Sequence, residues 1–115
     1  MTFIRNTINH KDSYIVVAAI DNETVGFLLI HETTSPSYPC IVEHQYAFIV
    51  DIIVWSHYQK QGIGSALLSE AKKWAKNRQL DYVELNVLSG NIGAIALYEK
   101  QGFQDMSHIM RLELA

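Results

Sequence analysis

The chain lacks the features that identify several common classes of protein. Its 115 residues include one cysteine, Cys40, so the chain can form neither an internal disulfide nor a thiolate metal cluster. No apolar run approaches the ~20 residues of a membrane-spanning helix, and residues 1–12 do not have the layout of a signal peptide. We therefore expect a cytoplasmic protein that does not enter a membrane.

A basic excess is also missing. The formal net charge is -3 and the pI is near 5.9, which argues against a nucleic-acid partner. The basic cluster of Lys72, Lys73, Lys76 and Arg78 has the spacing of one helix surface, and we interpret it as a solvated helix face. The histidines show no metal-ligand spacing, so no metal site is predicted.

The residues that are present indicate one folded domain over 1–115, because 49% are hydrophobic and only 18% are charged. Two β-branched runs, residues 14–20 and 24–30, predict a hairpin around Asp21-Asn22. Residues 33–39 contain both prolines of the chain and predict a connecting loop.

A long strand is predicted over residues 41–54. Its second half, residues 47–54, is nearly continuous in apolar side chains apart from Asp51, as expected for a central strand covered on both faces. From Gly62 the apolar period changes to that of an amphipathic helix, with core positions Ile63, Leu67, Ala71 and Trp74.

The last third of the chain predicts three more elements. Residues 81–87 alternate like a strand. Asn91 is a favourable helix N-cap and Gly102 a favourable C-cap, so they bracket a second helix. Residues 103–114 predict a final strand. The resulting order is three strands, helix, strand, helix, strand.

The loop from Gln59 to Ser65 carries the strongest chemical signal. Gly62 and Gly64 precede a helix, whose first N–H groups attract phosphate, and glycine lets a pyrophosphate approach the main chain. A plain tight turn would look the same. A dinucleotide-binding fingerprint fits less well because Leu67 stands where a small residue is needed, and no Gly-Lys-Ser/Thr follows for a Walker loop.

Two ordered motifs together resemble the GNAT superfamily of N-acetyltransferases. The loop Gln59-x-x-Gly62-x-Gly64 is similar to the family's Arg/Gln-x-x-Gly-x-Gly/Ala motif, and Asn91-x-x-Ala-x-x-Leu-Tyr-x-x-x-Gly-Phe103 to its downstream segment. The resemblance covers about residues 14–114. It implies an α/β, GNAT-like fold with a mixed, mostly antiparallel sheet flanked by helices, and acetyl transfer from acetyl-CoA to a primary amine.

The resemblance also implies a cofactor site. The loop amides would bind the pyrophosphate, the backbone of residues 53–55 would pair with the pantetheine arm, and Asn91 would contact the same arm. A main-chain N–H near Val54 would polarise the thioester carbonyl. The implied cofactor residues are Ile53, Val54, Trp55, Gln59, Lys60, Gln61, Gly62, Ile63, Gly64, Ser65, Asn91 and Tyr98.

Two side chains are candidate catalytic groups. Tyr98 matches the family tyrosine that protonates the departing CoA thiolate. Asp51 is the candidate base that takes the proton of the amine, although a structural carboxylate is an equal alternative. Simple alternation places Phe48 and Val50 on the opposite side from Asp51, and one β-bulge would reverse which set faces the acceptor.

The N-terminal region departs from the family pattern. Residues 3–5 resemble the family's first strand, but residues 6–13 are too few for the helices that usually follow. We expect an open acceptor pocket, which a second subunit of a homodimer would complete or which admits a peptide terminus, a lysine or a small-molecule amine. The alternatives are a non-catalytic acyl-CoA-binding module and a nucleotide-binding fragment.

Overall fold

The computed structural model describes residues 3–10, 12–35 and 43–115. Within these residues the chain forms five strands, two α-helices and one short 3-10 turn at Ser56–Tyr58. The longer elements are β1 (Phe3–His10), β2 (Ser13–Ile20), β3 (Glu23–Thr34), β4 (Gln45–Val54), α1 (Ile63–Asn77), β5 (Val83–Glu84) and α2 (Ile92–Lys100).

The strands form one mixed sheet in the order β1-β2-β3-β4-β5, with three antiparallel pairs and a parallel β4–β5 pair. This confirms the mixed, mostly antiparallel sheet that the resemblance implied. The predicted hairpin is present, and left-handed backbone at Asp21 (φ 50°) and Asn22 (φ 68°) provides its two-residue turn.

The region before the first hairpin contains a strand, as the resemblance to the family's first strand implied. β1 pairs with β2 and no helix lies between them in the described residues. The predicted loop and long strand are described only in part. Thr33 and Thr34 continue β3, β4 begins at Gln45, and residues 36–42 lie outside the described residues.

One face of the sheet packs against α1. The apolar stripe that the sequence predicts on α1 is buried, and Leu28, Ile30, Ile63 and Leu67 are at most 1% exposed. The ring of Trp74 stacks on Tyr14 of β2 with centroids 5.9 Å apart. Burial of this face is the main source of stability, because apolar surface leaves water there.

Among the described residues no helix covers the other face of the sheet, the open face, so the prediction that β4 is covered on both faces is wrong. Val50 is 41% exposed and Ile53 is 45% exposed. The reason is topological, since both described helices follow β4 in the chain and neither lies between the first strands. A continuous apolar strand normally indicates two covered faces, but here one of them remains accessible.

A β-bulge interrupts β4 at Val50. Leu29 of β3 pairs with Asp51 whereas Ile30 pairs with Ile49, so Val50 is the extra residue. The bulge changes which residues face α1. Ile49 faces the core before the bulge, and Ile52 packs against the core after it. Asp51 is consequently on the open face of the sheet, together with Ile53.

The C-terminal part of the sheet is shorter than predicted. β5 covers Val83–Glu84 in place of residues 81–87, because β4 and β5 pair only at their beginnings and then separate. The predicted final strand over residues 103–114 is wrong. This segment has no assigned strand, and residues 104–115 are exposed. A strand pattern alone produces no strand without a neighbour to supply hydrogen bonds.

None of the helices in the described part of the chain is long and apolar enough to cross a membrane.

Candidate functional site

A cleft of about 580 Å³ lies where β4 ends, α1 begins and α2 crosses beside them. Its walls include most of the residues of both sequence motifs. The lining consists of Ile52, Val54, Tyr58, Gln59, Lys60, Gly62, Ile63, Gly64, Ser65, Asn91, Gly93, Ala94, Leu97, Tyr98 and Lys100. Two lysines, Lys60 and Lys100, and the N-termini of α1 and α2 therefore border one cavity.

The loop before α1 has the backbone geometry of an anion-binding turn. Lys60 (φ 65°) and Gly62 (φ 83°) adopt left-handed conformations, and Gly62 is the N-cap of α1. The first hydrogen bond within the helix runs from the N–H of Ala66 to the carbonyl of Gly62 at 3.0 Å. The preceding amides of residues 63–65 have no helical acceptor, and no side chain caps this end.

Gly62 and Gly64 are required to be glycine for different structural reasons. A Cβ at Gly62 would meet nothing within 4 Å, so its backbone conformation alone requires glycine and its surface stays open. A Cβ at Gly64 would lie 2.9 Å from Cδ2 of Leu97. Gly64 therefore lets α1 approach α2 closely, which differs from the close approach of a pyrophosphate that the sequence suggested.

The edge of β4 beside the cleft has a main-chain group directed away from β3. The Trp55 N–H donates to the Val25 carbonyl at 2.8 Å. Since hydrogen-bonded and non-hydrogen-bonded pairs alternate in an antiparallel ladder, the pair Gly26–Val54 is of the second kind. The N–H of Val54 thus points into the gap that opens between β4 and β5.

The Val54 carbonyl is occupied from within the motif. Nε2 of Gln59 donates to it at 3.1 Å, which ties the start of the loop to the end of β4. Among the three backbone positions predicted to pair with pantetheine, only Val54 presents its main chain to the gap. The main chain of Trp55 is engaged with β3, and the same alternation directs that of Ile53 towards β3.

Tyr98 lies on the α2 wall, where the sequence predicts it. Its ring is half-buried and meets Phe103 edge-on, with centroids 5.9 Å apart. Burial raises the pKa of the Tyr98 phenol above its ordinary value of 10, because desolvation penalises the phenolate. The phenol therefore keeps its proton at neutral pH and is available as a proton donor inside the cleft.

Asn91 is the N-cap of α2, as predicted. Its Oδ1 accepts a hydrogen bond from the N–H of Ala94 at 3.2 Å. This cap orients the side chain at the cleft wall and leaves the amide NH₂ group as a donor.

Four predicted site residues do not line the cleft. The side chains of Ile53 and Trp55 are exposed, and the ring of Trp55 packs edge-on against Phe27 with centroids 6.3 Å apart. Gln61 is an exposed loop residue. Asp51 is exposed on the open face of the sheet, because the bulge at Val50 turns it away from the α1 side.

Six lining residues were not predicted as site residues: Ile52, Tyr58, Gly93, Ala94, Leu97 and Lys100. A signal existed for two of them, since Ala94 and Leu97 belong to the downstream motif and share a helix face with Asn91 and Tyr98. Ile52 needed knowledge of the bulge. In the described part of the chain, no group of three or more His, Cys, Asp or Glu side chains is arranged to hold a metal ion.

Comparison with known proteins was consistent across sequence and structure. A model of the Acetyltransferase (GNAT) family matches residues 2–103. A streptothricin acetyltransferase from Escherichia coli is 32% identical over 88% of this chain and 53% of its own length. An N-alpha-acetyltransferase from Sulfurisphaera tokodaii is 30% identical over 90% of this chain and 64% of its own.

Among solved structures, a putative acetyl transferase from Pyrococcus furiosus superimposes with a TM-score of 0.77 at 30% identity, covering 91% of this chain and 68% of that one. The chain spans about half the length of several of the curated relatives that it matches.

Proposed function

Because the chain belongs to the GNAT family of acetyltransferases, we propose that it is an N-acetyltransferase that transfers an acetyl group from acetyl-CoA to a primary amine. The observation that carries the proposal is the cleft itself. It brings uncapped amides at the start of α1, two lysines and a protonated phenol to the end of the β4 edge. We propose a single domain over residues 1–115 and a cytoplasmic location.

The loop residues Gln59 to Ser65 are the proposed anion site. The N–H groups of residues 63–65 supply donors and the positive end of the α1 dipole. Lys60 and Lys100 add positive charge to the lining of the same cleft. This combination fits the pyrophosphate of CoA.

Acetyl-CoA supplies a thioester carbonyl that an amine can attack. The Val54 N–H is the proposed donor to the carbonyl oxygen, because it is directed into the gap between β4 and β5. As the nitrogen–carbon bond forms, the carbon–sulfur bond breaks. Tyr98 then gives its proton to the leaving sulfur, and water returns a proton to the phenolate, which burial disfavours.

Asp51 is the proposed base for the amine proton. The cleft lies on the α1 side of β4, and Asp51 lies on the open side of the same strand. An acceptor that enters from the open side meets Asp51 before it reaches the gap. Three residues of extended strand separate Asp51 from Val54, about 10 Å, so the proton moves through water.

The open face of the sheet is the proposed approach for the acceptor. Phe27, Phe48 and Val50 lie on the side of the sheet that no described helix covers. This surface is accessible to a small-molecule amine, a peptide terminus or a lysine side chain. The names of the relatives, a streptothricin acetyltransferase and an N-alpha-acetyltransferase, point to amines of different size.

The test begins with thermal unfolding in the presence of acetyl-CoA or CoA, with NAD and ATP as controls. A ligand that binds the folded state raises the unfolding temperature. We expect acetyl-CoA and CoA to raise the unfolding temperature, and NAD and ATP to leave it unchanged. In a second assay, we expect acetyl-CoA to release free CoA thiol only when an amine is added. Absence of any shift at millimolar acetyl-CoA refutes the proposed cofactor site, and a shift without amine-dependent thiol release refutes the transferase activity.

A further inference from the structure

Lys72 of α1 makes a contact that the sequence did not indicate. Its Nζ donates to the main-chain carbonyl of Gln101 at 2.6 Å and to Oε1 of the same residue at 3.1 Å. The side chain is half-buried, so the interpretation of the basic cluster as a solvated helix face is wrong for Lys72. The next residue, Lys73, fits that interpretation, because its side chain is 69% exposed and pairs with Glu70 of the same helix. Lys72 therefore differs from its neighbour in connecting two helices.

The end of α2 that Lys72 contacts is a Schellman cap. Gln101 is the C-cap, and Gly102 follows it in a left-handed conformation (φ 100°). The Phe103 N–H donates to the Tyr98 carbonyl at 3.0 Å. The Gly102 N–H donates to the Glu99 carbonyl, also at 3.0 Å. An apolar contact between the flanking residues completes such a cap, and here it is the edge-on packing of Phe103 against Tyr98. The proposed proton donor is thus part of the cap.

The ammonium group of Lys72 is suited to this helix end. The last carbonyl groups of a helix have no acceptor role within it, and Lys72 supplies a donor to that of Gln101. Positive charge is also attracted by the negative end of the helix dipole, and charge-assisted hydrogen bonds are short and strong. Lys72 follows Ala71, which is 1% exposed in the core. The donor therefore stands on a firmly packed part of α1.

α2 meets α1 at a second place, closer to the cleft loop. Leu97 lies against Gly64, where an added Cβ would be 2.9 Å from Cδ2 of Leu97. Along α2, Tyr98 lies between this contact and the one with Lys72. Two separated contacts fix both the position and the direction of a helix, whereas a single contact allows it to swing. No side chain of α2 is fully buried, so core packing does little to prevent that motion.

We propose, building on the proposed function, that Lys72 is a positioning residue for acetyl transfer. It holds the C-terminal end of α2 against α1 and thereby keeps the Tyr98 phenol at the place in the cleft where the leaving sulfur forms. Lys72 does not line the cleft, so it acts through the cap of α2 and not by contact with a substrate. A displacement of about 1 Å at a reacting group is enough to lower a rate substantially.

The first experiment measures amide hydrogen exchange in the wild-type chain, Lys72→Met and Lys73→Met. Methionine keeps most of the apolar stem of lysine but has no donor, and Lys73→Met makes the same change at the exposed neighbour. We expect Lys72→Met to speed exchange of the α2 amides about ten-fold or more. Lys73→Met should change it less than about two-fold. Equal α2 exchange in the two variants overturns the inference.

The second experiment determines whether Lys72 acts through Tyr98. Lys72→Met should lower kcat about ten-fold and change KM for acetyl-CoA less, because the proposed anion loop precedes α1 and is not on α2. In a Tyr98→Phe background the phenol is already absent, so Lys72→Met should lower kcat further by less than about two-fold. Equal losses in the two backgrounds show a role independent of Tyr98 and overturn the inference.

Failure of this inference and failure of the proposed function give different results. If the wild-type chain releases no thiol with an added amine, the transferase proposal fails and the positioning role fails with it, while hydrogen exchange still decides whether Lys72 holds α2. If the wild-type chain is active and Lys72→Met keeps both wild-type kcat and wild-type α2 exchange, the transferase stands and Lys72 has no positioning role.

Discussion

The two helices lie beside the same sheet and pack very differently. α1 has six buried side chains, whereas α2 has none that is fully buried. α2 contacts the body through a small number of points, including Leu97 against Gly64 and the hydrogen bond from Nζ of Lys72 to the Gln101 carbonyl at 2.6 Å. α1 is therefore part of the packed core. α2 is the wall of the cleft that makes the fewest buried contacts with the rest of the protein.

Of the two helices, α1 therefore contributes the buried core residues, whereas α2 mainly contributes residues to the cleft. α1 takes part in the cleft only through its first turn, and the rest of the helix serves the core. α2 presents its N-cap, Ala94 and Tyr98 to the cleft while contributing little burial. Elements with little buried surface open locally at low cost, so α2 is the element that a bound ligand would order most.

The largest expected effect comes from truncating the α1 core. Leu67 is fully buried, and Leu67→Ala should lower the free energy of unfolding by about 2–5 kcal/mol, because a cavity remains in the core. The matched substitution in α2, Leu97→Ala, removes a partly buried side chain and should cost about 1 kcal/mol or less. Urea unfolding measures both, and equal losses would remove the contrast between the helices.

The next effect is on chemistry and concerns α2. Tyr98→Phe keeps the ring against Phe103 but removes the proton donor, so kcat should fall by about 100-fold. Acetyl-CoA affinity should change little. Tyr58→Phe, at the other phenol of the cleft, is the control and should retain kcat.

The effect of Tyr98 ionisation on kcat has an expected direction with pH. Because burial raises the Tyr98 pKa above 10, the phenol is protonated throughout the neutral and mildly alkaline range. Wild-type kcat should show no loss from Tyr98 ionisation at neutral and mildly alkaline pH. The ionisation is measured by the ultraviolet absorbance of tyrosinate, and loss of the Tyr98 proton in this range would contradict its assignment as the donor.

Local signals in the sequence were sufficient for much of this architecture. The period of Ile63, Leu67, Ala71 and Trp74 predicted α1, and Asn91 predicted the start of α2, because helix periodicity and capping depend on neighbouring residues. The cleft loop followed from its glycines and from the resemblance to the family.

Non-local features were not predictable in the same way. The bulge at Val50 is set by pairing with β3, and one extra residue reverses the face of everything after it. The same limit explains residues 103–114, whose alternation predicted a strand that has no neighbouring strand in the described structure. The role of Gly64 also depended on where α2 lies.

A smaller effect tests the one part of α1 that faces the cleft. Gly62→Ala forces a side chain onto left-handed backbone, at a cost of about 1–2 kcal/mol. We expect the loop to relax and acetyl-CoA affinity to fall about ten-fold, equivalent to about 1.4 kcal/mol. Binding is measured by calorimetry.

The control for this substitution is Gly90→Ala. Gly90 has no positive φ and no atom within 4 Å of an added Cβ, and it does not line the cleft. An equal loss of affinity in both variants would show that loop backbone in general, and not the geometry at Gly62, determines binding.

The smallest expected effect concerns Asp51, which lies outside the cleft and apart from both helices. Because its proton transfer would pass through water over about 10 Å, Asp51→Asn should lower kcat/KM for the amine by about ten-fold or less, with the loss greatest at low pH, where the amine is most protonated. Asp21→Asn is the matched control, since Asp21 has left-handed backbone in an exposed turn that asparagine also tolerates. Steady-state rates over a pH series separate the outcomes. If the two variants have the same profile as wild type, the carboxylate on the open face has no part in the reaction, and Asp51 is not the base.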